Sequence, residues 1–587
     1  MATDFNALFA RAEAAFRAAR WEAARADLHT VLRGVGDHPA VLHLLALVEQ
    51  NAGRLPAART MFERALAVAP DDPQINNNYG NLLDAVEEYD AALRHYGRAI
   101  LKAPDFLDAR LNRATTQQKL GNYTAALIDL DVFVARHPDD ARVWEARGAV
   151  QRLAGNRLAA RTDFQRALDL DPGRPTALHG VARTALELSD DAAVPLYRAA
   201  LAADPNDPEV ALGLAEALEA AGDADCVPTL EAAVARNPQW VAGQDSLSRM
   251  RAEADAPGDY VAYYAAAAQQ FPADRDLALG YARALARGNR RTEALAFLDG
   301  AAGRIGADAE VRLMQAVLAS EAGDLDRADG EFARAGSDTQ AQLARGRHML
   351  RRDPEAAARI LEPLTRAEPG LVGAWAHLGL AWRLIGDPRF DWLCRPGMWR
   401  AHDLEIGDER LARLADVLRG LHRTRAHPIG QSLRGGTQTR GRLFDRPEPE
   451  LKLLHDELDA AVAAHFAALP PHDASHPLLR HRHDALRIEG SWSVRLTGGG
   501  FHVNHIHPLG VLSSACYIGL PAADSGDPRA GWLSIGSPPD ELALDLAPLG
   551  LVEPRPGRLA LFPSYLFHGT LPFATGERLT VAFDVIA

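Results

Sequence analysis

Three histidines and an arginine near the end of the chain are spaced as a metal site beside a carboxylate clamp. His505 and His507 stand two apart in the run Phe501-His-Val-Asn-His-Ile-His-Pro508, and His568 follows in Leu561-Phe-Pro-Ser-Tyr-Leu-Phe-His-Gly569. On a β-strand, residues i and i+2 share a face, so the first pair can reach one ion. His502 is three residues before His505, points away at that spacing, and stays outside the ligand set. His568 supplies a third nitrogen if its strand lies opposite, and three imidazoles suit zinc, iron, copper or nickel. Arg578 opens the run Arg578-Leu-Thr-Val-Ala-Phe-Asp584, with Thr580 and Asp584 on its strand parity. A guanidinium fork grips a carboxylate with two hydrogen bonds, and a threonine hydroxyl can add one. A metal ion near such a clamp is what a chelating 2-oxo diacid requires, with its oxo and C1 carboxylate oxygens on the metal and its far carboxylate on the arginine. Asp584 is a candidate for a group supporting the ligands.

The elements that must position these residues read as short strands. Apolar runs punctuated by glycine and proline at 491–496, 512–520, 531–535, 557–562 and 578–586 predict strands of a sandwich, jelly roll or barrel. Gly498, Gly499 and Gly500 predict a tight turn into the strand of His505 and His507. Trp492 reads as core, and Arg495 has no legible role. Upstream, 404–421 and 448–469 read as helices.

The segment Trp492 to Asp584 resembles the iron(II)/2-oxoglutarate dioxygenase superfamily. Its runs His505-Ile-His-Pro-Leu-Gly-Val-Leu-Ser-Ser-Ala-Cys-Tyr517, Leu561 to Gly569 and Glu577-Arg-Leu-Thr580 are similar to a bacterial and phage branch related to the prolyl hydroxylases. Gln431-Ser-Leu-Arg-Gly-Gly-Thr-Gln-Thr439 resembles a further part of that branch; from the residues alone it also reads as a turn around Gly435-Gly436, with a lid, a substrate loop or a brace as possible roles. The resemblance implies a double-stranded β-helix that uses Fe(II), 2-oxoglutarate and O2. His505 and His568 would be the iron histidines, Arg578 would hold the distal carboxylate, and Tyr517 would help hold the 2-oxo acid. There is one departure: the usual His-x-Asp/Glu spacing carries a carboxylate where this chain has His507, so the third ligand is an imidazole and the ion is one charge more positive.

The first two thirds of the chain repeat. Pro70, Pro104, Pro138, Pro172, Pro205, Pro238 and Pro272 recur at gaps of 34, 34, 34, 33, 33 and 34 residues. Small and aromatic residues recur between them, as in Trp144, Gly148, Ala160, Phe164 and Ala167. This resembles the tetratricopeptide repeat, in which small residues let two helices approach, an aromatic fills the gap to the next unit, and proline stops the second helix. The array starts near Phe5 and continues with weaker periodicity through second helices at 294–298, 328–335 and 356–361 and a first helix at 374–381. Such arrays form a groove that holds peptide segments or a neighbouring domain. Asn78 and Asn112 share an offset suited to binding a peptide backbone, although Ala146 breaks the ladder and solvated polar residues explain the pair equally well. The expected organisation is a multidomain α + β chain. A tetratricopeptide solenoid covers 1–385, a helical support region covers 386–485, and a jelly-roll core covers 486–587.

The net charge of -14 argues against nucleic acid as a partner. Cys226, Cys394 and Cys516 are too few and too scattered for a disulfide framework, which favours a reducing compartment. No signal peptide or membrane-spanning run is legible, so the cytoplasm is expected. The leading functional expectation is a 2-oxoglutarate-dependent dioxygenase, a hydroxylase acting on a protein or peptide presented by the repeats. Two alternatives stay open: a tetratricopeptide adaptor whose β-domain holds a structural or inactive metal site, and a cupin-like metalloenzyme that uses no 2-oxo acid.

Overall fold

The computed structural model describes residues 4–254, 256–423, 428–521 and 527–587. The chain forms two compact units, Met1–Ala185 and Leu186–Ala587. In the first, helix pairs such as Pro73–Ala85 with Tyr89–Lys102 and Ala141–Leu153 with Arg157–Leu170 follow the proline period. Each helix of the second set ends two residues before its proline, as at Lys102 before Pro104 and Leu170 before Pro172. Proline has no N–H to donate and its ring clashes with the preceding turn, so the helix stops ahead of it. The aromatic has the expected place. A Cβ built on Gly148 would lie 3.0 Å from the Phe164 ring, and one on Gly180 2.6 Å from it, so only glycine admits this ring between its own helix pair and the next helix. Asn78 and Asn112 are bonded within the repeats. Asn78 Nδ2 lies 2.8 Å from His43 Nε2, and Asn112 Nδ2 donates to Asn77 Oδ1 at 3.0 Å.

In the second unit the repeats run on through Arg291–Ile305, Leu325–Phe332 and Pro354–Ala367 to Val372–Ile385, where Gly386 closes the helix in the left-handed region. The β-rich region follows. Its strands are β1 (Arg400–Asp403), β2 (Leu433–Gln438), β3 (Arg487–His505), β4 (Leu512–Gly519), β5 (Leu533–Ile535), β6 (Gly550–Val552), β7 (Arg558–Pro563), β8 (His568–Thr570) and β9 (Glu577–Ile586). They form one antiparallel, nearly closed jelly-roll sheet in the order β1-β7-β4-β9-β3-β8-β5-β6, with β2 added on β3. The segment 386–485, read from the sequence as helical, thus also supplies two strands. β1 is polar and largely exposed, so it carries no apolar alternation, and β2 contains Gly435-Gly436 and reads as a turn.

Both pieces of β3 serve the site. Its first part pairs with β9 from Arg487 to Thr497, and its last part pairs with β8 at His502 and His505. The glycines between them mark the change of partner, and β2 spans it. A Cβ on Gly436 would sit 2.3 Å from Arg495 O, and one on Gly500 2.4 Å from Gly435 O. Two glycine runs therefore let two backbones touch, which makes Gln431–Thr439 a brace rather than a turn.

The later repeats hold the flanks of this brace. Glu253, 3% exposed, accepts from Arg249 at 3.0 Å, from the Ile429 N–H at 3.3 Å and from Arg440. Arg440 also reaches Glu219 at 3.4 Å, and Arg423 donates to Ala220 O at 3.4 Å. Farther along the repeats, Arg347 pairs with Glu541 at 3.0 Å and Arg383 donates to Ala547 O at 2.6 Å. The β-region thus rests on the C-terminal ends of successive first helices of the later repeats.

No described helix is long and apolar enough to cross a membrane, and the three cysteines are unpaired. Burial dominates the titration of this unit. His377, His422, His465 and His476 are each pushed down to about 4, chiefly by desolvation. Between pH 6.5 and about 4 the unfolded chain binds protons that the folded chain refuses, so stability rises with pH across that window. Thermal unfolding followed from pH 7 to pH 5 should show the melting temperature falling below pH 6.5, and replacing His465 with Gln should flatten the fall.

Candidate metal centre

The centre is built on strand parity. On β9, Leu579, Val581, Phe583 and Val585 enter a core shared with Leu411, Leu414 and Leu418 of the helix Asp408–Leu421 and with Leu454 and Leu458 of the helix Pro449–Ala467. Arg578, Thr580, Ala582 and Asp584 take the other face and line a cavity of about 470 Å³. The same cavity receives Trp492 and Val494 from β3, Gln438 from β2, and His505, His507 and His568. Cross-strand register fixes these neighbours: Val494 and Tyr517 both stand opposite Thr580, Leu496 stands opposite Arg578, and His505 stands opposite His568.

One nitrogen from each of the three histidines lies within 4.8 Å of the other two, and no other such group occurs among the described residues. The Nε2 atoms of His505 and His507 are 3.1 Å apart. Two nitrogens held at roughly 2.1 Å by one ion at a right angle would lie about 3.0 Å apart, so the spacing fits two adjacent ligands. Hydrogen bonds set the tautomers. Nδ1 of His505 donates to Val503 O at 2.9 Å, Nδ1 of His568 to Leu566 O at 3.1 Å, and Nδ1 of His507 to Asp584 Oδ1 at 2.5 Å. A carbonyl or carboxylate only accepts, so each Nδ1 carries a proton and Nε2 is the nitrogen of each ring that faces the others, with the Ser432 hydroxyl 3.2 Å from that of His505. Burial pushes His505 down to about 4, assisted by His507, and pushes His568 well below its usual value. These two rings are neutral and ligand-ready at neutral pH. His502 does not point away as its spacing predicted: the register of β3 shifts between His502 and His505, and His502 lines the cavity with its ring 5.8 Å from that of His505. The Ser432 hydroxyl lies 3.1 Å from His502 Nδ1 and 3.2 Å from His505 Nε2, and His502 stays outside the cluster of three.

Arg578 is 3% exposed and lies over the Tyr517 ring, with its guanidinium carbon 5.0 Å from the ring centre. Its Nη1 donates to Thr570 Oγ1 at 2.8 Å, while its Nε and the Tyr517 hydroxyl have no hydrogen-bond partner. Desolvation lowers its pKa from the usual arginine value, and among the described residues no carboxylate pairs with it. An isolated buried cation costs several kcal/mol, and orphaned donors add to that cost. The donors therefore fit an incoming carboxylate. Thr580 shares the cavity face, and Tyr517 lies beneath the arginine.

Several residues take places the sequence reading missed. Trp492 packs against the cluster of Leu433, Val494, Leu496 and Phe573 and is also a cavity wall, with its ring 5.5 Å from that of His507. Arg495 points to the opposite face and donates to Glu577 at 2.5 Å. Thr570, the partner of Arg578, follows His568 by two residues, so the parity that linked His505 to His507 would have found it had the short β8 been recognised. Gln438 at the end of β2 and Ser432 just before its start also line the cavity. Asp584, a candidate support, bonds the ligand candidate His507 directly.

Residues 490–584 match the family model described as "Putative 2OG-Fe(II) oxygenase", and residues 15–79, 85–150 and 191–247 match a tetratricopeptide-repeat model. No curated protein matches the chain. Similar solved structures include a tetratricopeptide repeat protein from Parabacteroides merdae, with 16% identity and a TM-score of 0.36 over 41% of this chain and 97% of that one. Yeast Tom70 has 14% identity and a TM-score of 0.35 over 66% of this chain and 96% of that one. The 2OG-Fe(II) family implies iron(II) and 2-oxoglutarate, and the three histidines and the unpaired Arg578 are of the right kind to hold them. The chain thus joins N-terminal tetratricopeptide repeats to a C-terminal domain, residues 490–584, that matches the "Putative 2OG-Fe(II) oxygenase" family model.

Proposed function

We propose that the protein is an iron(II)- and 2-oxoglutarate-dependent dioxygenase that hydroxylates a protein or peptide. The observation that carries this reading is the buried, anion-less Arg578 in the same cavity as three converging imidazoles. His505, His507 and His568 would hold the iron. Arg578, with Thr570 and Thr580 nearby and Tyr517 beneath, would hold the distal carboxylate. With both groups bound, the site supplies oxidation of a substrate C–H to C–OH, one oxygen atom of O2 going to the product and the other to the succinate formed as 2-oxoglutarate loses CO2. The protein's own part is to keep the ligand tautomers fixed, to neutralise the distal carboxylate and to restrict water in the cavity.

The cavity mouth supports a polypeptide substrate. Pro508 and Leu509 are exposed members of its lining, Leu509 86% exposed, with Ile506 and Trp492 half-buried beside them. Apart from Arg578 and Asp584, the described side chains lining the cavity are uncharged or histidine, which suits an uncharged side chain on a longer chain. The repeats offer that longer chain a surface. The adaptor reading needs a closed metal site, and a cavity beside the three nitrogens favours the catalytic alternative, which keeps coordination positions open.

Adding iron(II) anaerobically, or cobalt(II), at a hundred times its dissociation constant should stabilise the protein by about 2.7 kcal/mol. His568→Ala should abolish that rise in melting temperature, whereas an unchanged rise would place the metal elsewhere. The iron-loaded protein should convert 2-oxoglutarate to succinate. Arg578→Ala should weaken 2-oxoglutarate binding by about 2–5 kcal/mol, as expected when one side of a buried charge pair is removed, with little change in metal affinity. Unchanged 2-oxoglutarate affinity in that variant would contradict the assignment.

A further inference from the structure

We propose that Asp584 is a positioning residue that supplies, through His507, the negative charge that the His505-x-His507 spacing lacks. The inference rests on the metal-site reading above. The His507 Nδ1–H donates to Asp584 Oδ1 at 2.5 Å, and the Ser513 hydroxyl donates to the same oxygen at 3.3 Å. Ser513 is in turn held by Ser564 at 3.0 Å. Asp584 stands opposite Gly490 on β3 and opposite Ser513 on β4, so neither neighbouring strand crowds it with a bulky side chain. Among the described residues it has no lysine or arginine partner, and His507 is the ion-pair neighbour it has there. His507 is 9% exposed, with the Trp492 ring beside it, so little water competes for this contact.

The physical consequence concerns the charge on the metal. Replacing a carboxylate ligand with a neutral imidazole leaves a divalent ion one charge more positive. A carboxylate accepting the Nδ1 proton of a ligating imidazole makes Nε2 more basic and fixes the ring, and loss of such a partner typically costs about 10- to 100-fold in metal affinity. In this chain the carboxylate has moved one bond network outward. It comes from the last strand, on the same face as the arginine clamp, instead of from the residue two after the first histidine.

The test compares Asp584→Asn in two backgrounds, using cobalt(II) affinity by anaerobic titration of its visible absorption. Asparagine keeps the shape and an acceptor oxygen but removes the charge. In the otherwise unaltered chain it should weaken cobalt binding about 10- to 100-fold, shift the cobalt absorption, and leave the melting temperature of the metal-free protein nearly unchanged. In a His507→Asp background, where a carboxylate takes the ligand position, Asp584→Asn should leave cobalt affinity unchanged or improve it, because two neighbouring carboxylates repel. Affinity unchanged in the first background overturns the proposal. Equal weakening in both backgrounds also overturns it, because Asp584 would then be merely structural. The two readings fail separately. Cobalt binding that depends on Asp584 without any 2-oxoglutarate binding would sink the oxygenase reading and keep this one, and 2-oxoglutarate binding with Asp584-independent metal affinity would do the reverse.

Discussion

The alternation of β9 is the constraint on which the rest of the site depends. Ten residues, Glu577–Ile586, carry the hydrophobic core on one face and the candidate chemistry on the other. Leu579, Val581, Phe583 and Val585 are fully buried against the helices behind the sheet, while Arg578, Thr580, Ala582 and Asp584 line the cavity. A slip of one residue in its pairing with β3 or β4 would send the arginine into the core and a phenylalanine toward the metal ligands. Stability and site geometry are therefore fixed by the same register, and the burial that drives folding of the sheet also aims Arg578.

The electrostatics follow from that placement. The cavity holds three imidazoles that burial keeps neutral, His502, His505 and His568, a fourth bonded to Asp584, and a guanidinium with no anion of its own. A folded protein retains such a group at a cost in stability, and that cost is offset when an anion binds. The site is preorganised for a ligand with a metal-chelating end and a carboxylate end. The chain supplies neither group of that ligand, only its complement.

Legibility in the sequence tracked periodicity. The proline period, the small-residue offsets and the alternation of β9 are regular, so the helix pairs and the Arg578 face could be read directly. The strand reading of His505 and His507 holds only in part: β3 ends at His505, His507 follows it, and His568 joins them from β8. The brace was not legible. Gly435-Gly436 and Gly498–Gly500 read as turns when taken singly, and their meaning appears only when one backbone is laid on the other. Thr570 hid in a three-residue strand, Trp492 packs as a core residue yet also stands at a cavity wall, and β1 lies too exposed to show a pattern. The support of the brace by Glu253 joins residues more than 170 positions apart, and no local pattern encodes it.

That support gives the later repeats a structural part in the site. Glu219 and Glu253 hold the flanks of β2, whose Gln438 and preceding Ser432 line the cavity, so the repeats of the second unit are bonded directly to a segment that borders the candidate site. The central claim is that three imidazoles and Arg578 hold one 2-oxo diacid between them. The most direct test is an anaerobic titration of the iron(II)-loaded protein with 2-oxoglutarate, watched in the visible range, beside a 2-oxo monoacid that lacks the distal carboxylate. The account predicts a charge-transfer band that saturates with 2-oxoglutarate, needs far more of the monoacid, and is absent in His505→Ala. Iron bound with no band, or a band that forms equally well with the monoacid, would contradict it.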